Sequence, residues 1–165
     1  MGNSSFPHKA LGLSFWLAVT GLAAAVAGAG SVNAPALYAR LTLPVWAPPA
    51  WVFGPVWTVL YALMGISAWV VWRGRGFSGA RFALLLYILQ LAVNVLWSWL
   101  FFHWQLGLLA LADILLLLGL LFATLTAFWR LRPLAGWLLF PYLLWVGFAA
   151  ALNLAIWQLN PQILG

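Results

Sequence analysis

The residues able to do chemistry in this chain are few, and most of them sit inside long apolar stretches. Gln90, Asn94, Trp97, Ser98 and Phe101 recur at helical spacing, so an α-helix places them on one face. Tyr142, Trp145, Ala149 and Asn153 make a second such stripe, and Phe53, Trp57, Tyr61 and Met64 a third. Amides, hydroxyls and aromatic rings in such stripes recognise a ligand by stacking and hydrogen bonding. They are poor groups for moving protons. Asp113 is the only acid in the sequence, so acid–base catalysis by paired carboxylates lacks its second member. His8 and His103 have no partner at metal-ligand spacing, and the absence of cysteine removes thiolate ligands, disulfides and redox pairs. No P-loop, HExxH, GxSxG or CxxC motif is present, which argues against hydrolytic and phosphoryl-transfer enzymes.

The elements that position these groups follow from composition. Of the 165 residues, 67% are hydrophobic and only 5% charged, with 13 tryptophans and a mean hydropathy of +1.07. A soluble domain carries about a quarter of its residues charged; this one must have lipid as its solvent. Charge-free runs cover 10–39, 41–72 and 133–165, and 82–129 is interrupted only by Asp113. A helix needs about 20 apolar residues to cross about 30 Å of hydrocarbon. The runs predict five transmembrane helices, at about 11–31, 52–73, 82–103, 106–129 and 134–158. Segments such as LLLYILQLAV and DILLLLGLLF lack the alternation of a membrane β-strand. The fold class is thus an all-α integral membrane bundle, one domain over 1–165. The lead MGNSSFPHK before the first run is weakly basic, but the run exceeds a signal-peptide core, so it reads as a retained span.

Five spans put the N-terminus and the 73–81 and 130–133 loops on one side, with Lys9, Arg73, Arg75, Arg81, Arg130 and Arg132. Arg40 alone lies opposite. Positive short loops stay cytoplasmic, so the basic excess is an orientation signal and a contact for anionic lipid heads. It does not mix with exposed aromatics as a nucleic-acid site does. The first loop, about 32–51, is long for a compact bundle and too apolar for a disordered linker. Its second half runs into PVWAPPAWVFGPVW, with four prolines and three tryptophans in fourteen residues. It is expected to fold over the bundle as a lid, with Trp46 above the pocket or anchored at the interface and Trp51 an interfacial anchor.

Two readings of the polar stripes stand beside each other. Taken singly, Gln90 stitches helices together, at about 1 kcal/mol per bond. Taken together, with an aromatic lid above them, the stripes favour a small-molecule pocket. Asp113 reads as a capping or packing residue ahead of a proton relay. GLAAAVAGAG in the first helix, and Gly119, Ala123 and Ala127 in the fourth, read as small-residue packing within the bundle or along a homodimer seam.

Four blocks carry a resemblance to a known family: LPVWAPPAWVFGPVWTVLYALMG, QLAVNVLWSWLFF, ADILLL and FPYLLWVGFAAALN. Over about 36–160 the chain resembles the TspO/translocator protein family of tryptophan-rich sensory proteins, also called peripheral benzodiazepine receptors. The resemblance implies a five-helix bundle, commonly a homodimer, that binds protoporphyrin IX or haem, in some members cholesterol, and synthetic benzodiazepine-type ligands below the first loop. It implies transport or sensing of porphyrins, with no obligatory cofactor, or their light-dependent breakdown by two cavity tryptophans matching Trp57 and Trp145. Asn94 matches the polar ligand contact of the third helix, and Ala149 and Leu152 match small wall residues of the fifth. The ligand-binding set expected on all these grounds is Tyr38, Trp46, Phe53, Trp57, Tyr61, Gln90, Asn94, Trp97, Tyr142, Trp145, Ala149 and Leu152. Two departures stand out. Leu37-Tyr38 replaces a Trp-Tyr pair of the first loop, and ALNLAIWQLN puts Leu154 and Gln158 at the tyrosine and arginine of the animal cholesterol motif. With the charge bias, the degraded sterol motif points to a bacterial cell membrane, the mitochondrial outer membrane being the alternative.

Overall fold

A computed structural model describes residues 6–165, with side chains from residue 10 onward. The MGNSS lead and the side chains of His8 and Lys9, which enter the leader and charge readings above, lie outside the described residues. Helix α1 spans Phe6–Gly30 and a short helix, α2, spans Ala34–Arg40. A single 3-10 turn, Ala50–Val52, leads into α3, Phe53–Ser98, which ends in a π-helical turn at Trp99–His103. Then come α4, Gly107–Leu131, α5, Pro133–Leu159, and α6, Pro161–Leu164. Prolines open α2, α5 and α6, where the first-turn N–H groups have no intrahelical partner to lose.

Four helical runs among the described residues are long and apolar enough to cross a membrane: Ala10–Gly30, Ala50–His103, Gly107–Leu131 and Pro133–Leu159. The second holds 54 residues, about 80 Å of straight helix at 1.5 Å per residue. It is not straight. Gly76 takes φ 66° and ψ −178°, a conformation that breaks the helix and that glycine alone adopts readily. The spans expected at 52–73 and 82–103 lie on either side of it, and the loop expected between them shrinks to this one residue. The two arms face each other, because Tyr61 and Asn94, 33 residues apart, are hydrogen-bonded.

The core lies among the two arms of α3, α4 and α5, where Met64, Tyr87, Leu121, Phe128, Leu139 and Tyr142 are fully buried. Helix α1 packs against α3 from outside. Thr20 fixes it there, donating to the Trp16 carbonyl at 2.7 Å and accepting from the Tyr87 hydroxyl at 2.6 Å. The outward face is apolar, with Leu11, Leu22, Phe82, Leu116, Phe122 and Leu144 all exposed. On a soluble protein that surface would aggregate; in an integral membrane protein it is the lipid contact.

Asp113 is not a cap. Leu106 holds the cap position of α4 without any side-chain bond, while Asp113 is buried in the second turn with Oδ2 unpartnered. The small-residue stripe of α1 also departs from close packing. A Cβ on Gly21 or Gly28, or on Gly119 of the α4 stripe, would meet nothing within 4 Å. Gly30 is the tight one: a Cβ there would stand 2.8 Å from the Trp99 ring, whose Nε1 donates to the Val26 carbonyl at 3.1 Å.

Candidate functional site

The 32–51 loop is held at three points. Its own Leu37 and Leu41 are buried. The Tyr38 hydroxyl donates to the Pro48 carbonyl at 2.7 Å, clamping α2 to the proline stretch. At the far end Asn160 reads the Thr42 backbone twice, accepting from its N–H at 2.8 Å and donating to its carbonyl at 2.9 Å. A side-chain amide is suited to this, since its donor and acceptor mimic a neighbouring backbone strand. Partial burial pushes the Tyr38 phenol above its ordinary pKa, so it stays a neutral donor.

Beneath this loop is a cavity of about 370 Å³, at the small end of ligand sites. Five segments wall it. The loop contributes Tyr38, the first arm of α3 contributes Phe53, Trp57 and Tyr61, and the second arm contributes Trp97 and Phe101. Helix α5 adds Ala149, Leu152, Asn153 and Ile156. The α1 side is made of Ala24, Ala27, Gly28 and Ser31, whose small side chains leave the space that larger ones would fill. Trp97 stacks on Phe101 at 5.5 Å and 17°, and its indole N–H donates to Asn153 Oδ1 at 3.1 Å. A second hollow of about 370 Å³ shares Ala24, Trp57 and Tyr61 with the first and continues between α1 and α3 past Leu17 and Gly21.

Under the aromatic wall lies a buried polar relay. The Tyr61 hydroxyl donates to Asn94 Oδ1. Asn94 Nδ2 donates to the Tyr142 hydroxyl at 2.9 Å, which donates to Gln90 Oε1 at 3.1 Å. Gln90 Nε2 then rests on the Met64 sulfur at 3.9 Å. The three expected stripes therefore do meet, but at two depths. Gln90, Asn94 and Tyr142 stitch the helices below, and Tyr61 belongs to both layers.

Of the twelve expected site residues, Tyr38, Phe53, Trp57, Tyr61, Trp97, Ala149 and Leu152 stand on the cavity wall. Gln90, Asn94 and Tyr142 lie in the relay, one hydrogen bond or more behind it. Trp145 sits behind Phe53, ring to ring at 5.8 Å, with a buried indole N–H that has no partner. Trp46 is half exposed and packs edge-on against Phe148 at 5.8 Å. His103 is exposed on the π turn against Trp99, away from the cavity. Sequence reasoning missed the whole α1 wall, although GLAAAVAGAG carried its signal; Asn153, on the fifth-helix stripe, does stand on the wall.

A sequence model of the TspO/MBR family matches residues 14–158. The Tryptophan-rich protein TspO of Chlorobaculum tepidum is 42% identical over 146 residues, covering 86% of this chain and 92% of the relative. Protein CrtK of Rhodobacter capsulatus is 43% identical over 152 residues, 87% of this chain and 92% of its own length. The Translocator protein of Homo sapiens is 43% identical over 125 residues, 74% of each chain.

Proposed function

The chain belongs to the TspO/MBR family, and on that premise we propose that it is a membrane receptor or carrier that binds porphyrins, protoporphyrin IX or haem, in the cavity under the first loop. The observation that carries this is the wall itself: Phe53, Trp57, Tyr61, Trp97 and Phe101 around one hollow. A flat conjugated ring gains about 0.5–1.5 kcal/mol per aromatic contact beyond area burial. The cavity alone is small for a tetrapyrrole, and the adjoining hollow along α1 extends it past Trp57. Ser31 and Asn153 supply the polar contacts at its edge, and Arg40, exposed at the end of α2, is the cation on that side for a propionate.

In this reading the 54-residue run crosses the bilayer twice, giving five crossings, and the 32–51 segment is the lid. Support comes from the break at Gly76 and from the Asn160 and Tyr38 ties. A homodimer, and sterol or benzodiazepine-type ligands in the same cavity, extend the proposal from the family resemblance. A bacterial cell membrane suits the arginine bias better than the mitochondrial outer membrane. The test is co-elution: protein in lipid nanodiscs, mixed with protoporphyrin IX, should carry the porphyrin absorbance through gel filtration in proportion to protein. Empty nanodiscs that carry as much would refute it.

A second reading is light-dependent porphyrin breakdown. It rests on Trp57 standing in the wall, with Trp145 one ring behind it through Phe53. Bleaching of the illuminated complex, compared with Trp57→Phe and Trp145→Phe, separates the two readings. Equal bleaching in all three proteins leaves binding as the function.

A further inference from the structure

We propose that the cleft between the end of the first α3 arm and the α4–α5 junction is a binding site for the phosphate of an anionic phospholipid, separate from the ligand cavity. The cleft holds about 300 Å³ and is lined by Val70, Arg73, Gly74, Arg132, Pro133 and Leu134. It contains two guanidinium groups. Arg132 lies directly on Gly74, where a Cβ would stand 2.4 Å from its Nε and 2.8 Å from Nη2. Arg73 is held 4.4 Å from the centre of the Trp69 ring. Neither has a carboxylate to neutralise it. Asp113, the only acid in the sequence, lies toward the other end of α4, about 28 Å away from Arg132 at helical rise. Two cations in one cleft repel each other until an anion sits between them.

Phosphate is the anion that the geometry suits. Guanidinium forks donate in pairs to phosphate oxygens. The field comes from the two arginines: α5 opens at Pro133 on the cleft, but α4 ends beside it at Leu131, and its negative end opposes the positive end of α5. The remaining wall is apolar, from Val70, Pro133 and the exposed Leu134. A soluble anion has no use for that wall, whereas a lipid presents its glycerol and acyl chains beside its phosphate. An anionic headgroup also avoids bringing a third positive charge, as a choline head does.

The experiment measures thermal protection of the full chain in micelles by phosphatidylglycerol, against phosphatidylcholine and against sodium phosphate. Phosphatidylglycerol should protect saturably. Arg73→Gln and Arg132→Gln should each weaken half-saturation by about tenfold or more, the worth of one charge-assisted hydrogen bond, while Arg81→Gln, outside the cleft, leaves it unchanged. Gly74→Ala is the decisive variant, since it keeps every charge and displaces only the Arg132 guanidinium; it should weaken protection as Arg132→Gln does. If Arg132→Gln does not fold, Gly74→Ala carries the test. Protection that survives Gly74→Ala, or that falls as much with Arg81→Gln, overturns the site in favour of diffuse charge. Equal protection by sodium phosphate overturns the lipid assignment.

Discussion

The Tyr61 hydroxyl is bonded to the amide oxygen of Asn94, 33 residues further along the same helical run. One bond thus joins the two arms of α3 and also joins the ligand cavity to the relay beneath it. Removing the acceptor should cost more than removing the donor. Asn94→Leu leaves the Tyr61 hydroxyl without its acceptor and removes the donor to Tyr142, which keeps its bond to Gln90, and should lower stability by about 1–2 kcal/mol. Tyr61→Phe leaves Asn94 its bond to Tyr142 and should cost about 0.6 kcal/mol, the average for such bonds in membranes. Reversible unfolding in mixed micelles gives both values, and the reverse order would show that the relay does not hold the arms.

The turn at Gly76 should be intolerant of any side chain. With φ 66° and ψ −178°, Gly76→Ala places a Cβ in a conformation that costs about 1–3 kcal/mol. Gly119→Ala, in open space on a helix, is the control and should be neutral or slightly stabilising. Equal effects in the same unfolding assay would mean that the arms do not depend on this turn.

Asn160 should govern how long a ligand stays. Its two bonds to the Thr42 backbone are worth about 1 kcal/mol each. Asn160→Ala should therefore speed porphyrin release by up to about thirtyfold, with a smaller effect on association. Stopped-flow displacement measures this, and an unchanged release rate would mean that the loop does not hold the ligand.

The two tryptophans should separate. Trp57→Leu removes a wall ring and should weaken porphyrin binding by about fivefold to tenfold. Trp145→Phe changes a ring screened by Phe53 that makes no wall contact of its own, and should alter affinity by less than about twofold. Fluorescence titration of the two variants decides it; a larger loss at Trp145 would place the ligand deeper than the cavity wall.

Much of this was legible in the sequence because lipid simplifies the rules. A chain with one acid and charge-free runs of helix length has few ways to satisfy its backbone, and the stripes at 53–64, 90–101 and 142–153 do converge. Depth was not legible. Helical spacing says that Gln90, Asn94 and Trp97 share a face, but not that the first two bond to Tyr142 while the third reaches the hollow. Small residues were ambiguous for a physical reason, since the same Gly-x-x-x-Ala spacing that admits a neighbouring helix also leaves a void when none comes close. The one-residue turn at Gly76 was hidden because GRGFSG carries the glycine and charge of an ordinary loop, while its flanking residues remain helical.

That void gives the sharpest test of the cavity. A Cβ on Gly28 would meet nothing within 4 Å, yet Gly28 lines the hollow. Gly28→Leu should therefore fill the site without disturbing the packing around it. The measurement is a protoporphyrin IX titration of tryptophan fluorescence in nanodiscs, wild type beside Gly28→Leu, with thermal unfolding of both. Porphyrin should quench the wild type saturably, with one ligand per chain, while the variant unfolds at the same temperature and shows no saturable quenching. Saturable quenching of equal affinity in both proteins would contradict binding in this cavity.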